Sequence, residues 1–231
     1  MDMTSGIEQA QTFQRAVESD AFQSLSPQVR VALVLGALAL ISSALVTMTA
    51  FTRIVIVLSF VRRALSTQEI PPTQVILGLS LFLTLFVMGP TLTKIEQDAI
   101  RPYLDNTIDG MTACQNGYEA LEEFMIRQTR KADIALFARI AGISTIATPA
   151  DTPLRVLVPA YVISELKTAF IMGFCLYIPF ILIDLVVSVI LMSLGMMMMP
   201  PMVISTPFKI LLFVLVDGWQ LIARVLSMSF H

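Results

Sequence analysis

TAFIMGFCLYIPFILIDLVVSVILMSLGMMMMPPMVISTPF, residues 168–208, runs for 41 residues with Asp184 as its only charge. One helical crossing of a bilayer core takes about 20 apolar residues, so the stretch exceeds a single pass. Pro179 divides its first part, and Gly195, four methionines and Pro200-Pro201 end that part sharply. Glycine and proline at such places punctuate helices. The reading is an apolar helical hairpin with a methionine turn, whose last segment, 210–230, carries Asp217 and Arg224.

Working outward, residues 31–52 hold no charge and are bracketed by Arg30 and Arg53. The apolar pattern continues to Val61, and one helix from Val29 to Ala64 would be about 54 Å long. That overshoots a core of about 30 Å. Pro71-Pro72 breaks the chain before a second uncharged run, 74–93, giving a first hairpin with a basic tip at Arg62 and Arg63. Residues 94–158 differ: they hold seven of the fifteen basic and nine of the seventeen acidic residues. A surface helix is expected over Tyr118–Ile140, with Glu123 and Arg127 at the favourable i,i+4 spacing, and Pro149, Pro153 and Pro159 punctuate the connection that follows. The fold class is all-α and membrane-associated, built to oligomerise. Its parts are an N-terminal amphipathic segment (1–28), hairpin one (29–93), a polar region (94–158) and hairpin two (159–231). The positive-inside rule places the basic tip and the methionine turn on the cytoplasmic side and 94–158 outside.

Composition agrees: 56% of residues are hydrophobic and 14% charged, with mean hydropathy +0.79, against roughly 25% charged in soluble domains. The net charge of -2 gives no basis for nucleic-acid binding. MDMTSGIEQA has no basic n-region before an apolar run and does not read as a secretory signal peptide. Cys114 and Cys175 lie in unlike contexts and form no disulfide framework. His231 is the only histidine, no metal-ligand spacing is present, and no nucleophile or phosphate-loop motif occurs. No catalytic residue, cofactor or metal is expected.

Arg53, Asp184, Lys209 and Asp217 are charges in apolar surroundings, with Glu165 at the border of the third apolar segment. Such charges mark an ion path, pair between hairpins or subunits, or snorkel to an interface. The pairing reading is preferred, since no two share one helix at i,i+4 spacing. An ion or small-solute transporter with broken helices is the second reading. The run Met196–Met199 suits core filling or soft-metal ligation. Set between Gly195 and Pro200-Pro201 and repeated around a ring, it would instead form a compliant apolar constriction.

Several stretches resemble the FliP family: Met48–Val57, Pro71–Gln74, Phe124–Arg130, Leu136–Arg139, Leu157–Tyr161, Ser164–Phe170, Ile178–Asp184, Gly195–Pro201 and Pro207–Gln220. The injectisome counterpart SctR shares the pattern more loosely. The resemblance implies a core subunit of the flagellar type III export gate, conducting unfolded export substrates across the inner membrane. It implies a pentamer with FliR, FliQ, FlhB and FlhA, in contact with membrane lipid and standing largely on the periplasmic side within the basal body. Met196, Met197 and Met198 match the family's methionine gasket, and Met199 continues the run. Glu165 and Lys209 fall on charged positions and are expected at inter-subunit contacts, as are Arg53, Asp184 and Asp217.

Overall fold

A computed structural model describes residues 26–67, 70–143, 152–196 and 199–230. Among them every regular element is helical: α1 (Pro27–Thr47), α2 (Phe51–Ala64), α3 (Thr73–Val87), α4 (Gly89–Ile95), a π-helical turn (Glu96–Ile100), α5 (Arg101–Leu104), α6 (Gly110–Gln128), α7 (Lys131–Ile140), α8 (Leu154–Ser193), α9 (Pro201–Leu215) and α10 (Gly218–Met228). The amphipathic segment expected over 1–28 falls almost wholly outside the described residues. The chain forms two compact units, residues 1–48 with 89–127, and 49–88 with 128–231.

In the first unit, Asp109 caps α6: its carboxylate accepts the Thr112 backbone N–H at 3.2 Å and the Thr112 hydroxyl as well. α6 meets α4 and the π-helical turn at ordinary contact distance, for a Cβ on Gly117 would lie 3.9 Å from Ile95 and Ala99. A wide turn leaves carbonyls needing donors, and Asn116 supplies one to the Asp98 carbonyl at 2.6 Å. Glu123 pairs with Arg127 at 3.7 Å, the expected i,i+4 contact, and also with Lys94. Both pairs are exposed and contribute little.

The Thr112 bonds, side chain first and backbone second, hold the Asp109 carboxyl below its ordinary 3.8. A carboxyl lowered by folding stabilises the folded form above its unfolded pKa; that contribution disappears as pH falls through the folded value. Acid loss of α6 helicity, followed by circular dichroism, is therefore expected to start at higher pH in Thr112→Val. An unchanged acid transition would count against the cap.

In the second unit, α2 turns Ile54, Val57, Leu58 and Val61 inward, the spacing of a buried helical face. They pack on α8, whose own buried residues begin with Val156, Leu157, Ala160 and Tyr161. On α7, Ile134 and Ala138 cover Val156 and Ala160.

The long apolar run is not one helix from Val29 to Ala64; the backbone leaves the helix between Thr47 and Phe51. The carbonyl of Thr49 in this break accepts the buried Tyr161 hydroxyl at 2.8 Å. Nor is Tyr118–Ile140 one helix: Arg130 is extended (φ -71°, ψ 135°), and its N–H donates to Ser164 Oγ at 2.9 Å instead of to a helical carbonyl. The expectation that Pro159 and Pro179 punctuate the chain is corrected as well; both lie inside the 40-residue α8. A proline removes one backbone bond and strains its turn, but packing of α2, α7 and α9 along α8 outweighs that local cost.

By length and composition α8 is able to cross a membrane, and its total length of about 60 Å exceeds what one crossing requires. α9 and α10, bent by 63° at Val216–Asp217, pass the same test only when counted together.

Candidate functional site

The methionine turn follows from how α8 ends. Gly195 has φ 74°, a left-handed conformation open to glycine without steric cost. Its N–H donates to Met192 O at 3.1 Å, and the Met196 N–H reaches back to Leu191 O at 3.0 Å. These two bonds are the Schellman arrangement that satisfies the last carbonyls of a helix. On the far side Pro201 opens α9, a position where its missing N–H costs nothing. Met196 and Met199 are 42% and 40% exposed, too open for core filling. Met197 and Met198 lie outside the described residues.

Beneath the turn, the charges expected at subunit contacts meet inside the chain. Lys209, 1% exposed, donates to Asp184 Oδ2 and to Ser66 Oγ, both at 2.6 Å. Asp184 is the more open partner at 35%, and its Oδ1 accepts from Ser205 Oγ at 2.5 Å. The cluster joins α8, α9 and the end of α2.

A second cluster is built on Arg53, 2% exposed, and Glu165, fully buried. The guanidinium donates through Nε to Glu165 Oε2 at 2.8 Å and through a second nitrogen to Oε1. It also reaches Ser229 O at 2.8 Å, Ser229 Oγ at 3.1 Å and Gln128 Oε1 at 3.1 Å. Its planar face lies 3.8 Å from the Phe230 ring centroid, so hydrogen bonds and a cation–π contact together compensate desolvation. Gln128 Nε2 donates to Phe230 O at 3.0 Å. Both charged groups of this pair are closed off inside one chain. Asp217 joins neither cluster; it is exposed, in the left-handed conformation (φ 50°), at the bend that starts α10.

Ser66, Ser205, Gln128, Ser229 and Phe230 were not singled out in the sequence. They are small or uncharged, and Gln128 and Ser229 lie 75 and 176 residues from Arg53, so no local spacing points to them. Among the described residues no group of three His, Cys, Asp or Glu is placed to hold a metal ion, and Cys114 and Cys175 are free and exposed.

A model of the FliP family matches residues 34–226. The flagellar biosynthetic protein FliP of Pectobacterium carotovorum subsp. carotovorum is 53% identical over 209 residues, covering 90% of this chain and 81% of the relative. That of Bacillus subtilis (strain 168) is 51% identical over 208 residues, covering 90% and 94%. That of Aquifex aeolicus (strain VF5) is 45% identical over 210 residues, covering 90% and 88%. The matched residues include Arg53, Glu165, Asp184, Lys209 and the methionine turn, and on that breadth the chain belongs to the FliP family.

Proposed function

We propose that the protein is a channel-forming core subunit of the flagellar type III export gate, conducting unfolded flagellar subunits across the bacterial inner membrane. Several copies, five by the family resemblance, surround a pore with FliR and FliQ, with FlhB and FlhA at the cytoplasmic entrance. Met196–Met199 of each copy form an apolar constriction, and much of the assembly stands on the periplasmic side within the basal body.

The observation that carries this reading is the methionine turn, two of whose side chains stand exposed at the end of a long apolar helix. Exposed apolar helix surface supports assembly. On α8, Phe170, Phe174, Leu182, Val186 and Val189 are exposed, and so are Phe82 and Phe86 on α3. Apolar surface of that extent needs lipid or protein to cover it. A methionine ring suits the task, since flexible thioethers repack around a passing chain of changing shape, while an apolar constriction excludes ions by dewetting. The small-solute transporter is the weaker reading because Arg53, Glu165, Asp184 and Lys209 are engaged with one another rather than arrayed along a path.

The deciding experiment replaces Met196, Met197 and Met198 together by alanine in the assembled complex. A severalfold rise in inner-membrane ion leakage, with filament protein still exported, is the expected result. Leakage and export both at wild-type level would remove the constriction.

A further inference from the structure

We propose that the Ser66–Lys209–Asp184–Ser205 cluster positions the methionine turn, fixing the register of α9 against α8 and thereby the resting seal. This rests on the constriction proposed above and assigns the residues that set it.

The cluster lies on both arms of the turn at one level. Nine residues separate Asp184 from the end of α8 at Ser193, and eight separate Lys209 from the start of α9 at Pro201. At 1.5 Å per residue each group is about 12–14 Å from its end of the turn. Between cluster and turn the buried side chains of α8 are Val187 and Leu191, which pack without directional bonds. The side-chain hydrogen bonds joining α8 to α9 run through the two Asp184 oxygens.

The third strand of the cluster ties it to a fixed reference. Ser66, left-handed at φ 57°, follows the C-cap Leu65 of α2, whose Val57, Leu58 and Val61 are buried in the core. The turn is thereby held relative to α2 as well as to its own arms.

Energy alone does not require charges here, since replacing a largely desolvated ion pair by apolar residues of similar volume is often neutral. What the charges add is register. Sliding α9 along α8 by one helical turn, about 5.4 Å, would break the bonds to Asp184 and Ser66 together and leave an almost fully buried ammonium with no partner. Apolar packing between the same helices would accept the slide at small cost. A directional cluster below a compliant turn therefore makes the resting position single-valued, and the methionines above it adapt only in their side chains.

The test measures ion conductance of the inner membrane, yield of assembled complex and export in cells carrying each variant. Ser205→Ala removes one bond to a charged group, a loss expected to raise resting leakage about fivefold. Asp184→Leu with Lys209→Met keeps volume and apolar packing, so the complex still assembles, but leakage rises about tenfold or more. A merely structural role predicts the opposite: restored packing, normal yield and wild-type conductance. If both variants assemble and seal normally while the methionine triple variant leaks, the positioning role is overturned and the constriction stands. If the methionine variant does not leak either, the constriction itself falls and the cluster's role with it. Combining the charge-cluster and methionine variants should leak no more than the leakier of the two; additive leakage would place the cluster's action elsewhere and overturn the proposal. Should the double replacement fail to assemble, Ser205→Ala alone decides.

Discussion

Glu165→Ala is expected to destabilise the second unit by about 3–5 kcal/mol, the cost of leaving one member of a buried ion pair uncompensated. The geometry explains why relief is limited. Arg53 is 2% exposed and cannot turn to solvent, and its remaining donors are already committed to Ser229 and Gln128. With the carboxylate gone, water must enter the core or the end of α10 must peel away with Ser229 and Phe230. Arg53→Lys fares little better, because one ammonium cannot reproduce a planar fork that bonds Glu165 twice and still reaches two other partners. Arg53→Met with Glu165→Leu should recover most of the loss, to within about 1–2 kcal/mol of the parent, since a well-packed apolar pair replaces a buried salt bridge at little cost. Denaturant unfolding of the detergent-solubilised complex, read against its yield from membranes, checks all three. A single Glu165→Ala variant as stable as the parent would mean that the pair is solvated in the assembly.

Arg53 also shows how far the sequence carries. An isolated arginine in an apolar run is visible at once, and so is the conclusion that it needs a partner. Nothing local says that the partner is Glu165, 112 residues away, or that the nearly terminal Ser229 completes the shell. Charge in apolar sequence therefore signals a contact without telling whether that contact is inside the chain or between chains. The methionine turn was readable because its determinants are local: Gly195 ends α8 through a left-handed backbone and Pro201 starts α9. Pro159 and Pro179 misled for the complementary reason. Proline's cost is local and knowable from sequence, whereas the packing that overrides it comes from α2, α7 and α9. The break between α6 and α7 was hidden likewise, since Ser164, 34 residues downstream, receives the N–H that makes the break affordable.

Gly173→Val is expected to cost about 3 kcal/mol, and Gly173→Ala a net of about 1–2 kcal/mol despite alanine's better helix propensity. A Cβ at this position would lie 2.5 Å from Phe60 Cδ2, 2.6 Å from Cγ and 3.0 Å from Cβ. Spinning the ring cannot relieve contacts with Cβ and Cγ, which lie on the rotation axis. Phe60 is also held edge-on by Phe170, with ring centroids 5.5 Å apart, and covered by the Arg63 guanidinium at 4.7 Å. The alternatives are a new rotamer for Phe60 or a shift of α2 away from α8. Gly78→Ala is the matched control, a helical glycine in the same unit with nothing within 4 Å of the added methyl. There the same chemical change should stabilise by about 0.5–1 kcal/mol, so opposite signs at the two sites in thermal unfolding are the expected outcome. Equal effects would show that the close approach of α2 to α8 is not maintained. The position matters for function because α2 is held at three successive levels: Arg53 to Glu165, Phe60 against Gly173, and Ser66 to Lys209. A wedge at the middle level pushes α2 off α8 between two polar fastenings, one to α8 and one to α9, whose bonds tolerate little displacement. Gly173→Val should therefore raise resting ion leakage as well as lower stability, whereas Gly78→Ala should leave leakage unchanged.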